Sequence, residues 1–201
     1  MYTIIRLVIW GVIFVICFVL VKKSKIKHKR CLYLVSLLIT IILGTITCMI
    51  PFENMFLTFS SPEAAFGYVH SGIVDLTVDG RNTAMVIAKK SNNHVYAIVP
   101  KSNDGWKLGI GLDTRRIVRQ VSEGIVVEVY QYKDTDDYYI VVLDTDGGAS
   151  EISDNQNSEF YYSTERNSTL NKTFYTYYAY IHDFNDLYTL TINRRTISLA
   201  D

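Results

Sequence analysis

The sequence predicts two transmembrane α-helices, a helical hairpin, followed by a mainly-β (α+β) extracytoplasmic domain. Three observations predict it. Two uncharged apolar runs fall within the first 52 residues. A lysine-rich stretch separates them. Beyond them, short alternating apolar and polar segments, punctuated by turn residues, fill the rest of the 201-residue chain.

The first span covers residues 3–21. Leu7–Val21 holds only apolar residues and one glycine, and counted from Thr3 the run makes about 28 Å of helix. That approaches a hydrocarbon core of about 30 Å. The second span covers residues 31–52 and carries no charge. Its polar members, Ser36, Thr40, Thr45 and Thr47, can bond back to helix carbonyls, and Pro51 closes it. Thr40, Gly44 and Cys48 form a small-residue stripe suited to packing on the first helix. A cleaved signal peptide fits the first run poorly, because its charged region is Arg6 alone and a second span follows at once.

Net charge is zero only because unlike halves cancel. Residues 1–52 hold seven Lys and Arg and no acid; the remainder holds thirteen against all twenty acids. The connector, residues 22–30, concentrates Lys22, Lys23, Lys25, Lys27, Lys29 and Arg30. Basic residues in short loops stay cytoplasmic. Both termini are therefore expected outside, as a two-span protein of a bacterial cell membrane. The same six side chains are the expected lipid-headgroup contacts. Nine residues against a bilayer cannot track a duplex, so nucleic acid is not an expected partner. Cys17, Cys31 and Cys48 all fall in or beside the spans, which leaves no disulfide framework to the outer domain.

Residues 53–72 read as an apolar linker, expected to pack through Met55, Phe56, Leu57 and Phe59, and a short helix. Ser61 as cap places Pro62 at the first helical position; Ser60 as cap would place Glu63 in a capping box. The helix runs to about His70 and stops at Gly72, with Ala65, Phe66 and Val69 as its apolar face. Residues 73–201 follow as the β-rich domain. Strands are expected at Val74–Val78, Ala84–Ala88, His94–Val99, Trp106–Leu112, Arg115–Val121, Ile125–Tyr132 and Tyr138–Asp144. Asp79-Gly80, Ser91–Asn93 and Asn103–Gly105 supply turns. Gly147-Gly148 and Ser153–Ser158 break the pattern. An aromatic third follows, closed by a hairpin around Asn193-Arg194. About ten short strands with one helix suggest an antiparallel meander, a sandwich or a small barrel, the meander being favoured by short loops.

No motif marks an enzyme. His28, His70, His94 and His182 are dispersed, without HxxxH or HExxH spacing, and are expected as solvated or edge residues rather than a zinc site. Asp144-Thr145-Asp146-Gly147-Gly148, with Asp134, Asp136 and Asp137 nearby, opens like a calcium loop, but Glu151 arrives too early to close it. Gly109-Ile110-Gly111 is no phosphate loop, and the sequons at Asn167 and Asn171 matter only in a host that glycosylates. No cofactor is expected. The compositional oddity is fifteen tyrosines. Tyr161, Tyr162, Tyr175, Tyr177, Tyr178 and Tyr180 are the candidate binding surface, since tyrosine is an amphipathic contact residue.

The stretch Phe59-Ser60-Ser61-Pro62-Glu63-Ala64-Ala65-Phe66, just beyond a membrane helix, resembles the "SPEEAF" opening of small membrane-anchored proteins of Gram-positive bacteria. In that uncharacterised group a hairpin-rich segment runs to a "GWK" tripeptide. Val74–Lys90 and Gly105-Trp106-Lys107 hold those places here, so the resemblance covers residues 59–107. It implies an anchored β-rich architecture and no activity.

The expected function is a non-enzymatic binding or interaction module, of accessory, immunity-like or envelope-sensing type. Its partners would be the lipid bilayer and another membrane or cell-envelope protein. The competing expectations are a hydrolase or transferase acting on envelope material, and an auxiliary subunit of a transporter.

Overall fold

The computed structural model describes residues 2–23, 29–49, 51–90, 93–109, 113–133, 135–145, 150–167 and 169–199. The chain divides into two compact units, Met1–Leu57 and Thr58–Asp201.

In the first unit, α1 (Tyr2–Lys23) and α2 (Lys29–Met49) pack together. The Trp10 Nε1–H donates to Thr47 Oγ1 at 2.8 Å, and Phe18 stacks on Tyr33 at 4.8 Å. Gly44 admits the Trp10 ring, which an added Cβ would meet at 3.8 Å; the expected small-residue stripe touches α1 there. The side chain of Cys48 lies outside the described residues. Thr40 and Thr45 donate back to Ser36 and Ile41 carbonyls, so their hydroxyls leave no unmet donor on an apolar surface. Large apolar side chains such as Leu7, Leu20, Leu34 and Leu38 point outward. Among the described residues one helical window, Arg30–Thr47, is long and apolar enough to cross a membrane.

Three boundaries differ from expectation. The second helix ends at Met49, and Phe52 opens a 3-10 turn, Phe52–Met55; proline disfavours the α conformation just before itself. Lys22 and Lys23 lie in the last turn of α1, and Lys29 and Arg30 in the first of α2; Lys25, Lys27 and His28 lie outside the described residues. Met55 and Phe56 are exposed rather than packed. Arg6 instead meets Glu53, with Nε to Oε1 at 3.2 Å and Nη2 to Oε2 at 2.5 Å. Both side chains are buried, and the Arg6 guanidinium also lies 4.9 Å from the Phe52 ring centre. This charge-assisted pair ties the start of α1 to the segment after α2.

In the second unit, α3 (Pro62–Val69) is capped by Ser61, whose hydroxyl accepts from the Ala64 N–H at 3.2 Å. Ser61 thus prevails over Ser60 as cap. Ala65 and Phe66 are buried.

Twelve antiparallel strands follow among the described residues: β1 (Ile73–Asp79), β2 (Thr83–Lys90), β3 (Asn93–Ser102), β4 (Gly105–Trp106), β5 (Thr114–Ser122), β6 (Ile125–Tyr132), β7 (Tyr138–Asp144), β8 (Ile152–Asp154), β9 (Tyr161–Asn167), β10 (Lys172–Ile181), β11 (Thr189–Ile192) and β12 (Arg195–Ser198). They form three sheets, ordered β1-β2-β3-β4, β5-β6-β7-β10-β9 and β12-β11-β8. Of the expected strand over Trp106–Leu112, only Trp106 among the described residues lies in a strand, β4. Its Gly105 has φ +134°, a conformation other residues resist, and Phe59 bridges to Trp106 there. Ile110–Leu112 lie outside the described residues. Asn193 and Arg194 take positive φ between β11 and β12, as a two-residue hairpin turn requires.

Neighbouring strands pair from β1 to β4 and again from β5 to β7, but the expected meander breaks between β4 and β5, which lie in different sheets, and after β7, because β7 pairs with β10 and β8 with β11. The five-stranded sheet is the middle layer. On one face Tyr139, Val141 and Tyr178 meet Val78, Met85, Ile87 and Ile98 of the four-stranded sheet. On the other, Ile140, Val142, Tyr177 and Ala179 meet Leu190 and Ile192 of the three-stranded sheet and Tyr188 just before it. Burial on both faces explains the unbroken apolar run of β7.

Asp137 joins the first two layers. Its Oδ2 accepts from the Asn82 N–H at 2.9 Å and the Thr83 hydroxyl at 3.1 Å, and its Oδ1 from the Tyr180 hydroxyl at 2.9 Å. This aspartate, first read beside a calcium loop, is an acceptor for protein donors. Asp134, Asp146, Gly147 and Gly148 of that reading lie outside the described residues.

Candidate functional site

The six candidate tyrosines do not share a surface. Successive residues of a strand face opposite ways, and β9 and β10 pair Tyr162 with Tyr177 and Tyr161 with Tyr178. Tyr162, Tyr175 and Tyr177 therefore share one face, with ring centres 5.9–6.4 Å apart. Tyr161, Tyr178 and Tyr180 belong to the other. Tyr177 and Tyr178 are only 6% and 1% exposed and sit in the two cores, so they leave the candidate surface. The Tyr177 hydroxyl accepts from the Ser150 N–H at 2.7 Å. Tyr180 is half-buried and donates to Asp137; burial first, then that carboxylate, pushes its hydroxyl up to about 12. What remains outward is Tyr161 on one face and, on the other, Tyr162, 60% exposed, resting on half-buried Tyr175. A ring held by neighbouring rings loses little freedom when a partner covers it.

The histidines are separate too. His70 stacks on Phe66 at 4.8 Å; burial, then nearby Lys90, lowers its proton affinity. His182 meets the Tyr180 ring edge-on at 5.0 Å. Among the described residues no three His, Cys, Asp or Glu side chains group as a metal site.

His94 is neither solvated nor idle, contrary to expectation. It lies at the seam where β1 and β3 of the four-stranded sheet approach β9 of the five-stranded one. Its Nε2 is 2.6 Å from Ser163 Oγ, and its Nδ1 is 3.7 Å from Glu165 Oε2. The Ser163 hydroxyl also makes a very short bond to Asp75 Oδ2. Asp75 sits at an irregularity in β1, between Val74 and Leu76, which re-aims its side chain. Lys89, opposite His94 in the β2–β3 register, pairs with Asp75 at 2.9 Å. Burial opposes charge on Asp75, but the bonds from Ser163 and Lys89 outweigh it and hold the carboxyl below its ordinary range.

This serine, histidine and carboxylate meet at distances a nucleophile would need. The proton count argues for another role. Ser163 has one hydroxyl hydrogen, and the Asp75 carboxylate competes with His94 for it. Ser163 is also only 3% exposed. Nothing local in the sequence signals the cluster, because Ser163 lies 88 residues from Asp75 and 69 from His94.

A second polar group lines a cleft of about 260 Å³ between His70, Tyr96, Ala97, Ile98, Gly109, Thr114 and Tyr130. There the Tyr96 hydroxyl donates to Tyr130 at 2.5 Å, and Tyr130 to Glu128 at 2.6 Å. Arg116 and Arg119 hold Glu128 at 2.6 and 3.2 Å. Burial, then the Glu128 bond, raises Tyr130 well above the phenol range.

No protein-family model, no curated protein and no solved structure matches the chain.

Proposed function

We propose that the chain is a two-span membrane protein whose β domain, on the outer face of a bacterial cell membrane, is a non-enzymatic module that binds another membrane or envelope protein. The hairpin reading is supported by the uncharged run Leu7–Val21, the apolar window Arg30–Thr47 and the packing of α1 on α2. The Arg6–Glu53 pair supports it further, since it joins the two helix ends remote from the basic connector. A row of outward Leu, Ile and Val on both helices is unfavourable in water and suits lipid. The basic connector would meet cytoplasmic anionic headgroups through Lys22, Lys23, Lys25, Lys27, Lys29 and Arg30.

The observation that carries the binding reading is Tyr162, exposed on β9 and backed by Tyr175 and Tyr177. Aromatic anchors of this kind dominate interface energetics. A photo-crosslinking residue at position 162, in native membranes, is expected to give one reproducible adduct. The same probe at exposed Leu187 should not. No adduct at 162, or the same adducts at both positions, refutes the surface. Alkaline carbonate should leave the chain in the membrane, and protease added to whole cells should remove the β domain; release or protection refutes the topology.

A further inference from the structure

We propose that His94 is a proton-operated tie that holds edge strand β9 against β1 and β3. When the Ser163 hydroxyl donates to Asp75, its oxygen can only accept from His94, so Nε2 must carry a hydrogen. The other ring nitrogen, Nδ1, lies 3.7 Å from the Glu165 carboxylate, an ion-pair distance beyond hydrogen-bond reach. A neutral imidazole that donates from Nε2 turns the Nδ1 lone pair toward that carboxylate. The cationic ring keeps the Nε2 bond and turns a positive N–H toward it.

The surrounding charges agree. The groups facing His94 are Asp75 from β1, Lys89 from β2 and Glu165 from β9. Two carboxylates thus stand against one ammonium, and a protonated ring balances them. The Tyr178 hydroxyl from β10, which interacts with Asp75 and Glu165, is neutral until strongly alkaline conditions because burial raises it. Both strands that supply the carboxylates end their sheets, β1 in the four-stranded and β9 in the five-stranded one. Each has a neighbouring strand on one side only, so side-chain bonds across the seam matter more there than in a sheet interior.

Histidine is the side chain whose charge ordinarily changes within the physiological pH range. Acid therefore fastens β9, and rising pH removes one of its two His94 contacts. β9 also carries Tyr162. On the proposed reading of that tyrosine as a contact surface, the same proton sets how firmly the surface is held.

Hydrogen exchange read by mass spectrometry, on the full chain in lipid nanodiscs, tests this without any partner. After correction for intrinsic rates, protection of residues 159–167 is expected to be about two- to fivefold higher near pH 5.5 than near pH 7.5, the order of one half-exposed ion pair. Peptides from β7 should not change. His94→Gln should abolish the difference and His70→Gln should retain it. Glu165→Gln, on a half-exposed side chain, should reduce it and serves if His94→Gln does not fold. A wild-type protein without pH dependence in β9, or variants at 94 and 165 that keep it in full, overturns the proposal. A positive exchange result with no adduct at position 162 would keep the tie and reject the contact surface.

Discussion

Replacing Asp137 should test whether the first two layers depend on one buried carboxylate. It is 1% exposed and receives three donors: the Asn82 N–H, the Thr83 hydroxyl and the Tyr180 hydroxyl. In Asp137→Ala all three lose their acceptor. Asn82 is exposed and Tyr180 half-buried, so both can turn to water at about 0.5–1.5 kcal/mol each. Thr83 is fully enclosed, and its stranded hydroxyl costs about 1–3 kcal/mol. Its contact with the Tyr139 hydroxyl, 2.8 Å away, lowers that figure. Relief from burying a charge offsets part of the total, which leaves a loss of about 2–4 kcal/mol. At about 2–4 °C per kcal/mol, Tm should fall by about 5–15 °C. The assay is thermal unfolding of the full chain in detergent, followed by near-ultraviolet circular dichroism of the tyrosines. Asp137→Asn keeps one accepting oxygen but turns an amide toward a donor, so its loss should be intermediate. A midpoint for Asp137→Ala within about 2 °C of wild type, less than one kcal/mol on the same scale, would refute the assignment of Asp137 as the link.

Two further outcomes follow from buried charge and buried phenol. Tyr130, Tyr132, Tyr139, Tyr178, Tyr180 and Tyr188 all have raised proton affinity, chiefly through burial. The unfolded chain ionises near pH 10 while the folded one holds its protons. Stability should therefore be complete below about pH 10 and fall as pH rises toward these higher values. Absorbance near 295 nm should show these tyrosines titrating together with unfolding, and free ionisation of all fifteen with tertiary structure intact would contradict it. At the helix pair, Glu53→Ala removes the carboxylate that pairs with the buried Arg6 guanidinium and should cost about 3–5 kcal/mol, read as reduced abundance in membranes. A double replacement, Arg6→Met with Glu53→Leu, should restore it, whereas equal loss in both would argue against the pair.

The sequence patterns that proved legible are those whose cause is local. Ser61-Pro62 specifies a helix start whatever surrounds it, because a serine cap and a first-turn proline satisfy the chain end by themselves. Asn193-Arg194 likewise marks a turn, since asparagine tolerates positive φ. The alternation of Val74, Leu76 and Val78 announces a strand but hides its irregularity, and it is this irregularity that sends Asp75 to Ser163. β8 escapes notice because three residues carry no period, and it exists only through β11. The same limit governs the tyrosines. A tyrosine's period places it on a face, but only the β9–β10 register and the layer packed beyond decide whether that face is wet. Tyr162 and Tyr177 are register partners on one face, yet the first is open and the second enclosed, because the three-stranded sheet covers one end of β10 and not the outer edge of β9. Composition therefore marks a residue type and a pair of strands, while whether a given ring is buried or open is decided by a third sheet whose strands lie far along the chain.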